Sequence, residues 1–185
     1  MQLIIISDIF GKTSELISFA DNFEKLYQTI RIVDPYDGEI KNFKNEGEAY
    51  NSFQKNCGLA LFSNKVLDAI SMAEGRLDLI GFSVGASAIW KISENHLSNI
   101  KNVFCFYGSK IREMVDINPS FFINLIFPNS EKHFSVEALF LKICKKENVY
   151  CEKTIYNHGF MNQRSLNYDE AGYKMFTDLI KQSVT

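Results

Sequence analysis

The stretch Leu79-Ile80-Gly81-Phe82-Ser83-Val84-Gly85-Ala86-Ser87 constrains the fold more than any other part of the chain. A short apolar run passes without a spacer into Gly-x-Ser-x-Gly and then into small, helix-compatible residues. A buried strand that turns directly into a helix, with a serine at the corner, has this sequence form. The flanking glycines carry no Cβ, so neighbouring backbone can approach the corner closely. The serine hydroxyl would stand above the sheet at the positive end of the following helix. Five such residues recur at many strand-to-helix turns, so their meaning depends on what the rest of the chain supplies.

Short apolar runs alternate with helical patterns along the whole chain. Strands are expected at Gln2 to Ser7, Thr29 to Val33, Leu77 to Phe82, Asn102 to Tyr107, Phe121 to Phe127 and Val149 to Tyr156. Helices are expected from Thr13 or Ser14 to about Lys25, over Glu48 to Gln54 and over Ser63 to Ala73. Three more are expected, from the serine corner to about Ile92, over Ser135 to Lys145, and from Tyr168 to about Gln182. The alternation predicts an α/β fold, a mainly parallel sheet of about six strands with helices on both faces. A length of 185 residues suits one domain, 1–185, without linker or repeat. In such sheets chemistry gathers beyond the carboxyl ends of the strands. Asp8, Ser83, Glu131 and His158 all fall at such ends.

A hydrophobic content of 46% with 16 Phe indicates an ordered interior. A formal charge of −2 offers no electrostatic case for nucleic acid or an anionic membrane as partner. No segment is apolar for long enough to span a bilayer, and the start of the chain lacks the basic region of a signal peptide. Cys57, Cys105, Cys144 and Cys151 form no Cys-x-x-Cys pair, and a reduced, cytoplasmic setting fits. Gly11-Lys12-Thr13 looks like the tail of a phosphate-binding loop, but Ile6 stands where that loop needs its first glycine.

Serine is a poor nucleophile without an adjacent base. Of the three histidines, His96 sits among polar residues and reads as surface, and His133 lies in the loop after the fifth strand. His158 follows the last strand, and Gly159 leaves its ring room to swing toward Ser83. A lone loop histidine is ordinarily a surface residue; the upstream serine corner makes His158 the expected base. A third group must orient the imidazole. The order serine, acid, histidine leaves the loop Pro128-Asn129-Ser130-Glu131-Lys132-His133, whose carboxylate is Glu131. A glutamate beside a lysine is ordinarily solvated; Glu137, inside a helix, and Asp116, before a strand, fit worse. The Val84 N–H is one expected oxyanion donor, and the loop Asp8-Ile9-Phe10-Gly11 should supply the other.

The combination resembles the dienelactone hydrolase family of α/β-hydrolases over nearly the whole chain. The carriers are Ser7-Asp8-Ile9-Phe10-Gly11, Gly81-Phe82-Ser83-Val84-Gly85, Phe106-Tyr107-Gly108, Asn124-Leu125-Ile126-Phe127 leading to Glu131, and His158-Gly159-Phe160 with Tyr168 and a final helix. The resemblance implies a Ser83, Glu131, His158 triad, with the Ile9 and Val84 amides as oxyanion hole. It also implies hydrolysis of a small ester, lactone or thioester through an acyl-enzyme, with water as acceptor, which calls for neither metal nor organic cofactor. Phe10, Tyr107 and Phe160 are then the expected apolar pocket walls. Three departures stand out. Ser83 replaces the cysteine of the namesake enzymes, and Glu131 replaces the usual aspartate. The first strand here corresponds to the fold's third, so a minimal version with an exposed sheet edge is expected, which a second copy would cover as a homodimer. Two other readings share these residues, a non-catalytic binding protein of the same fold and an acyltransferase.

Overall fold

The computed structural model describes residues 1–184. Six strands, β1 (Gln2–Ile6), β2 (Thr29–Val33), β3 (Leu77–Phe82), β4 (Ile100–Phe106), β5 (Ile123–Phe127) and β6 (Val149–Lys153), form one sheet. Their order is β2-β1-β3-β4-β5-β6, and every neighbouring pair is parallel.

Side chains alternate across a strand, so each strand feeds two cores. Ile4, Ile6, Leu77, Leu79, Val103, Cys105, Leu125 and Phe127 face one side. There they meet α2 (Glu46–Asn56), α3 (Gly58–Ser71), α4 (Val84–Ile92) and α5 (Val136–Ile143) through Phe53, Phe62, Trp90 and Leu139. Leu3, Ile5, Ile80, Phe82, Phe104, Phe106 and Ile126 face the other side, against Phe19 of α1 (Ser14–Asp21) and Phe176 of α6 (Glu170–Val184). Each buried Leu, Ile or Phe is worth ~1.5–3 kcal/mol, which makes these two cores the main stabilising term. The central β3 is buried along its whole length, whereas the edge strands β2 and β6 carry exposed residues. This difference is why β3 reads in the sequence as an uninterrupted apolar run.

Local chemistry explains several boundaries. Thr13 Oγ1 accepts the Leu16 N–H at 3.1 Å, so the residue that looked like part of a phosphate loop is the N-cap of α1. The β6 strand stops at Lys153 rather than Tyr156. Thr154 turns its hydroxyl and N–H onto the Phe127 carbonyl, both at 3.0 Å, and the chain leaves the sheet. The α3 helix begins at Gly58, five residues before the expected start, and Phe53 and Phe62 meet edge to face across the corner with α2. A 3₁₀ helix, Ser109–Glu113, follows β4 in a stretch to which no element was assigned from the sequence. At the amino end of β3 the buried Asp78 accepts from the Tyr27 hydroxyl at 2.7 Å and from the Asn102 N–H and amide, both at 3.0 Å. That carboxylate is fully satisfied and braces the sheet far from the carboxyl ends. Among the described residues no helix is long and apolar enough to cross a membrane, and no cluster of three or more metal-ligating side chains occurs.

Candidate active site

Ser83 occupies the corner between β3 and α4 with φ 51° and ψ −109°. A non-glycine residue there costs ~1–3 kcal/mol and persists only where its surroundings over-determine it. Here they do. The Ser83 N–H donates to the Phe106 carbonyl at 2.9 Å, and the Ser83 carbonyl accepts the Ser87 N–H and hydroxyl, each at 3.0 Å. The two glycines of the motif serve close approach. A Cβ on Gly81 would lie 2.6 Å from Ile89 Cδ1 and 2.8 Å from the Ala86 nitrogen. A Cβ on Gly85 would lie 2.5 Å from both the Ile6 and Ser7 carbonyl oxygens. The helix can therefore seat on β1 and β3 only if both positions are glycine.

His158 enters from the loop after β6. Its carbonyl accepts from the Asn167 amide at 2.9 Å, and its ring lies over Tyr107 with centroids 4.8 Å apart. Gly159, at φ 89°, turns the chain so that a Cβ would sit 2.5 Å from Ser165 Oγ. Glu131 comes from the loop after β5, which is tied to the histidine loop by the Asn129 N–H to the Tyr156 carbonyl at 2.6 Å. The three side chains converge. His158 Nε2 lies 3.0 Å from Ser83 Oγ, and His158 Nδ1 lies 2.6 Å from Glu131 Oε1. A hydroxyl, an imidazole and a carboxylate in this series can withdraw a proton from the hydroxyl and hold the resulting imidazolium. The N–H groups of Ile9 and Val84 donate to no acceptor among the described residues. Both residues line one open cavity together with Ser83, His158 and Glu131. An oxygen bound beside Ser83 would share that cavity with both amides.

The cavity has a volume of about 700 Å³ and a mixed lining. Tyr50 and Phe134 contribute rings, Glu46 a carboxylate, and Lys110, Arg112 and Lys132 cations. Glu113 takes up part of that charge, at 2.8 Å from Lys110 Nζ and 3.1 Å from Arg112. The Arg112 guanidinium stacks 5.0 Å from the Phe134 ring centroid. Lys110 is set relative to the serine corner, because its N–H donates to Ser87 Oγ at 3.2 Å. The sequence reading missed Tyr50, Lys110, Arg112 and Lys132. A signal was available for Lys132, which adjoins Glu131 in sequence; Lys110 and Arg112 sit on a short helix that no periodic pattern announces.

The expected apolar walls are elsewhere. Tyr107 is buried, takes φ 42°, and packs among Phe82, Phe106 and Phe160 beneath His158. That backbone angle turns its ring under the site instead of into it. Phe160 is fully buried against Phe106, Tyr156 and Phe176. Phe10 is buried as well, with the Arg164 guanidinium over its ring. None of the three lines the cavity around Ser83. His96 is exposed, His133 lines the cavity rim, and Glu137 pairs with Lys153 at 2.5 Å on α5 and β6. Asp8 is half-buried and accepts from the Phe10 N–H and the Asn162 amide. Burial pushes its pKa up, against the opposing pull of the Phe10 N–H and the Asn162 amide.

No known family profile matches the chain. It is 32% identical over 148 residues to the uncharacterized protein YczH of Bacillus subtilis, spanning 78% of this chain and 72% of that one. Among solved structures it resembles mouse alpha/beta hydrolase domain-containing protein 10, with TM-score 0.68, 11% identity, and coverage of 99% of this chain and 89% of that one. A dienelactone hydrolase-like promiscuous phosphotriesterase, P91, from metagenomic libraries gives 0.66 at 9% identity, with coverage of 98% and 85%. Est1E of Butyrivibrio proteoclasticus, solved with ferulic acid, gives 0.63 at 12% identity, with coverage of 98% and 86%. At these identities the structural likeness speaks for the fold.

Proposed function

Since the chain belongs to the family of Bacillus subtilis YczH and has the α/β-hydrolase fold, we propose that it is a serine hydrolase cleaving a small carboxylic ester, lactone or thioester. The observation that carries this reading is the continuous series Ser83 Oγ, His158 ring, Glu131 carboxylate at 3.0 and 2.6 Å, built from three separate loops. His158, protonated at Nδ1 and facing Glu131, takes the Ser83 proton at Nε2 as the hydroxyl oxygen attacks the substrate carbonyl. The carbonyl oxygen gains negative charge and is held by the Ile9 and Val84 N–H groups. The imidazolium then protonates the departing oxygen or sulfur, which leaves an acyl-Ser83 ester. Water gives a proton to His158 as its oxygen attacks the acyl carbon, and the imidazolium returns that proton to Ser83 Oγ as the C–O bond to the serine breaks and the acid leaves.

The open cavity suits a small substrate, and its lysines and arginine favour one carrying an anionic group. Turnover of short p-nitrophenyl esters tests the proposal. Ser83→Ala should lower kcat by ~10⁴–10⁶-fold, and a fluorophosphonate should label Ser83 of the intact protein. Equal turnover by the two proteins, or no labelling of folded protein, overturns it and leaves a binding protein. The same assay with an ester ending in a carboxylate, against its neutral isostere, reads the contribution of the cationic lining.

A further inference from the structure

The Asp8 carboxylate joins the two loops that the proposed chemistry must hold in register. Its Oδ1 accepts the Phe10 N–H at 2.9 Å, and its Oδ2 accepts from Asn162 Nδ2 at 2.6 Å, across 154 positions of sequence. The first bond holds one edge of the Ile9–Phe10 peptide. The Tyr36 hydroxyl holds the other edge, donating to the Ile9 carbonyl at 2.7 Å. The preceding peptide, which carries the Ile9 N–H, is held by the Asp8 carbonyl, which accepts the Gly11 N–H at 3.2 Å and the Ser7 hydroxyl at 3.0 Å, so the peptides on both sides of Ile9 are tied down. The second bond reaches the loop that carries His158. Asn162 there donates its N–H to the Gly159 carbonyl at 2.9 Å and accepts the Arg164 N–H on Oδ1 at 2.8 Å. Arg164 in turn lies over the Phe10 ring, 5.9 Å from its centroid, as a second link between the same loops.

We propose that Asp8 is a positioning residue, which sets the oxyanion donor Ile9 and the base His158 as one unit through its two carboxylate oxygens. The inference rests on the serine hydrolase reading. Its chemistry can be separated from mere loop stability because the donors are specified. Both groups facing Asp8 are N–H donors, so only a carboxylate accepts both. An asparagine at position 8 presents its own NH₂ to one of them. Flipping Asn162 gives no relief, because its NH₂ would then meet the Arg164 N–H. Exchanging the two residues restores every bond. With asparagine at position 8 and aspartate at position 162, the amide oxygen accepts from Phe10 and the NH₂ donates to the relocated carboxylate. That carboxylate still accepts from Arg164.

The test is the cycle Asp8→Asn, Asn162→Asp and the double exchange, with p-nitrophenyl ester kinetics and melting temperature for each. Asp8→Asn should lower kcat ~10–100-fold, the scale of a misplaced donor, with KM changed less than about threefold. The double exchange should recover kcat to within about fivefold of the original. A kcat for folded Asp8→Asn within about threefold of the original overturns the proposal, as does a folded double exchange that stays as slow as the single variant. If Asp8→Asn does not fold, Asn162→Ala cuts the bridge alone and should still slow turnover; unchanged kcat there overturns the proposal equally. Should the unaltered protein neither turn over esters nor label, the hydrolase reading fails by itself. The His158 ring nitrogen resonances then read the pairing directly. They should shift in Asp8→Asn and return in the double exchange, and resonances that do not move overturn it.

Discussion

The serine corner and the glutamate loop meet the same histidine, yet they are built in opposite ways. Ser83 sits on a fully buried strand, with its backbone in a sparsely populated conformation and two glycines pressed against neighbouring backbone. Glu131 sits in a loop whose next two residues are exposed, held by the Asn129 bond to Tyr156 and a longer Ser130 contact to Asn157 at 3.5 Å. The corner has no slack, because any shift of Ser83 must move β1, β3 and α4 together. The glutamate loop can move while breaking few hydrogen bonds. A nucleophile must be aimed to within a fraction of an ångström, whereas an orienting carboxylate needs only to keep one hydrogen bond.

Substitutions at the two places should expose that difference. Glu131→Gln keeps the shape but loses the charge that supports the imidazolium and permits the wrong tautomer, so kcat should fall ~10²–10⁴-fold. Glu131→Asp keeps the charge one methylene shorter. The loop should follow it inward, and the loss should stay within about tenfold. Ester kinetics on both variants check this, and an aspartate as damaging as the glutamine would show the loop to be as rigid as the corner. Gly85→Ala places a methyl group against two carbonyl oxygens that cannot move independently. It should cost ~1–3 kcal/mol, a fall of ~2–10 °C in melting temperature by calorimetry. An unchanged melting temperature would mean that the corner has slack after all.

The smallest effect concerns Asp8, beside the corner. Burial raises its carboxyl pKa above the ordinary 3.8, so on raising the pH the unfolded chain ionises first. The stability associated with the neutral form is complete below the ordinary value and is lost as pH rises through the raised one. Melting temperature against pH should therefore favour the Asp8→Asn variant progressively over that window. A gap between the two proteins that does not change with pH would remove desolvation as the dominant influence on Asp8.

Much of the fold was legible because its cues are short-range. The apolar runs of β1, β3 and β4 and the glycines around Ser83 each specify geometry within a few residues. The three converging side chains could be picked out because each follows a strand, and strand ends gather on one edge of a parallel sheet. The pocket lining was not legible in the same way. Phe10, Tyr107 and Phe160 were expected at its walls because they are aromatic and lie next to the site in sequence. The positive φ of Tyr107 and the turn at Gly159 send two of them into the core beneath it. Arg112 and Lys110 reach the cavity on a 3₁₀ helix that no periodic pattern announced.

By itself, then, the amino-acid order settled the strand-helix alternation, the tight serine corner and the two side chains in series with its hydroxyl. Those features depend on backbone sterics and on side-chain period, which act over a turn or a strand. Only the tertiary structure decided which loops touch. The Asp8 to Asn162 bond and the identity of the cavity's lining arise where segments many residues apart are brought together by the sheet order and its crossovers. No local property of either segment encodes that meeting, because its energy exists only after both have packed.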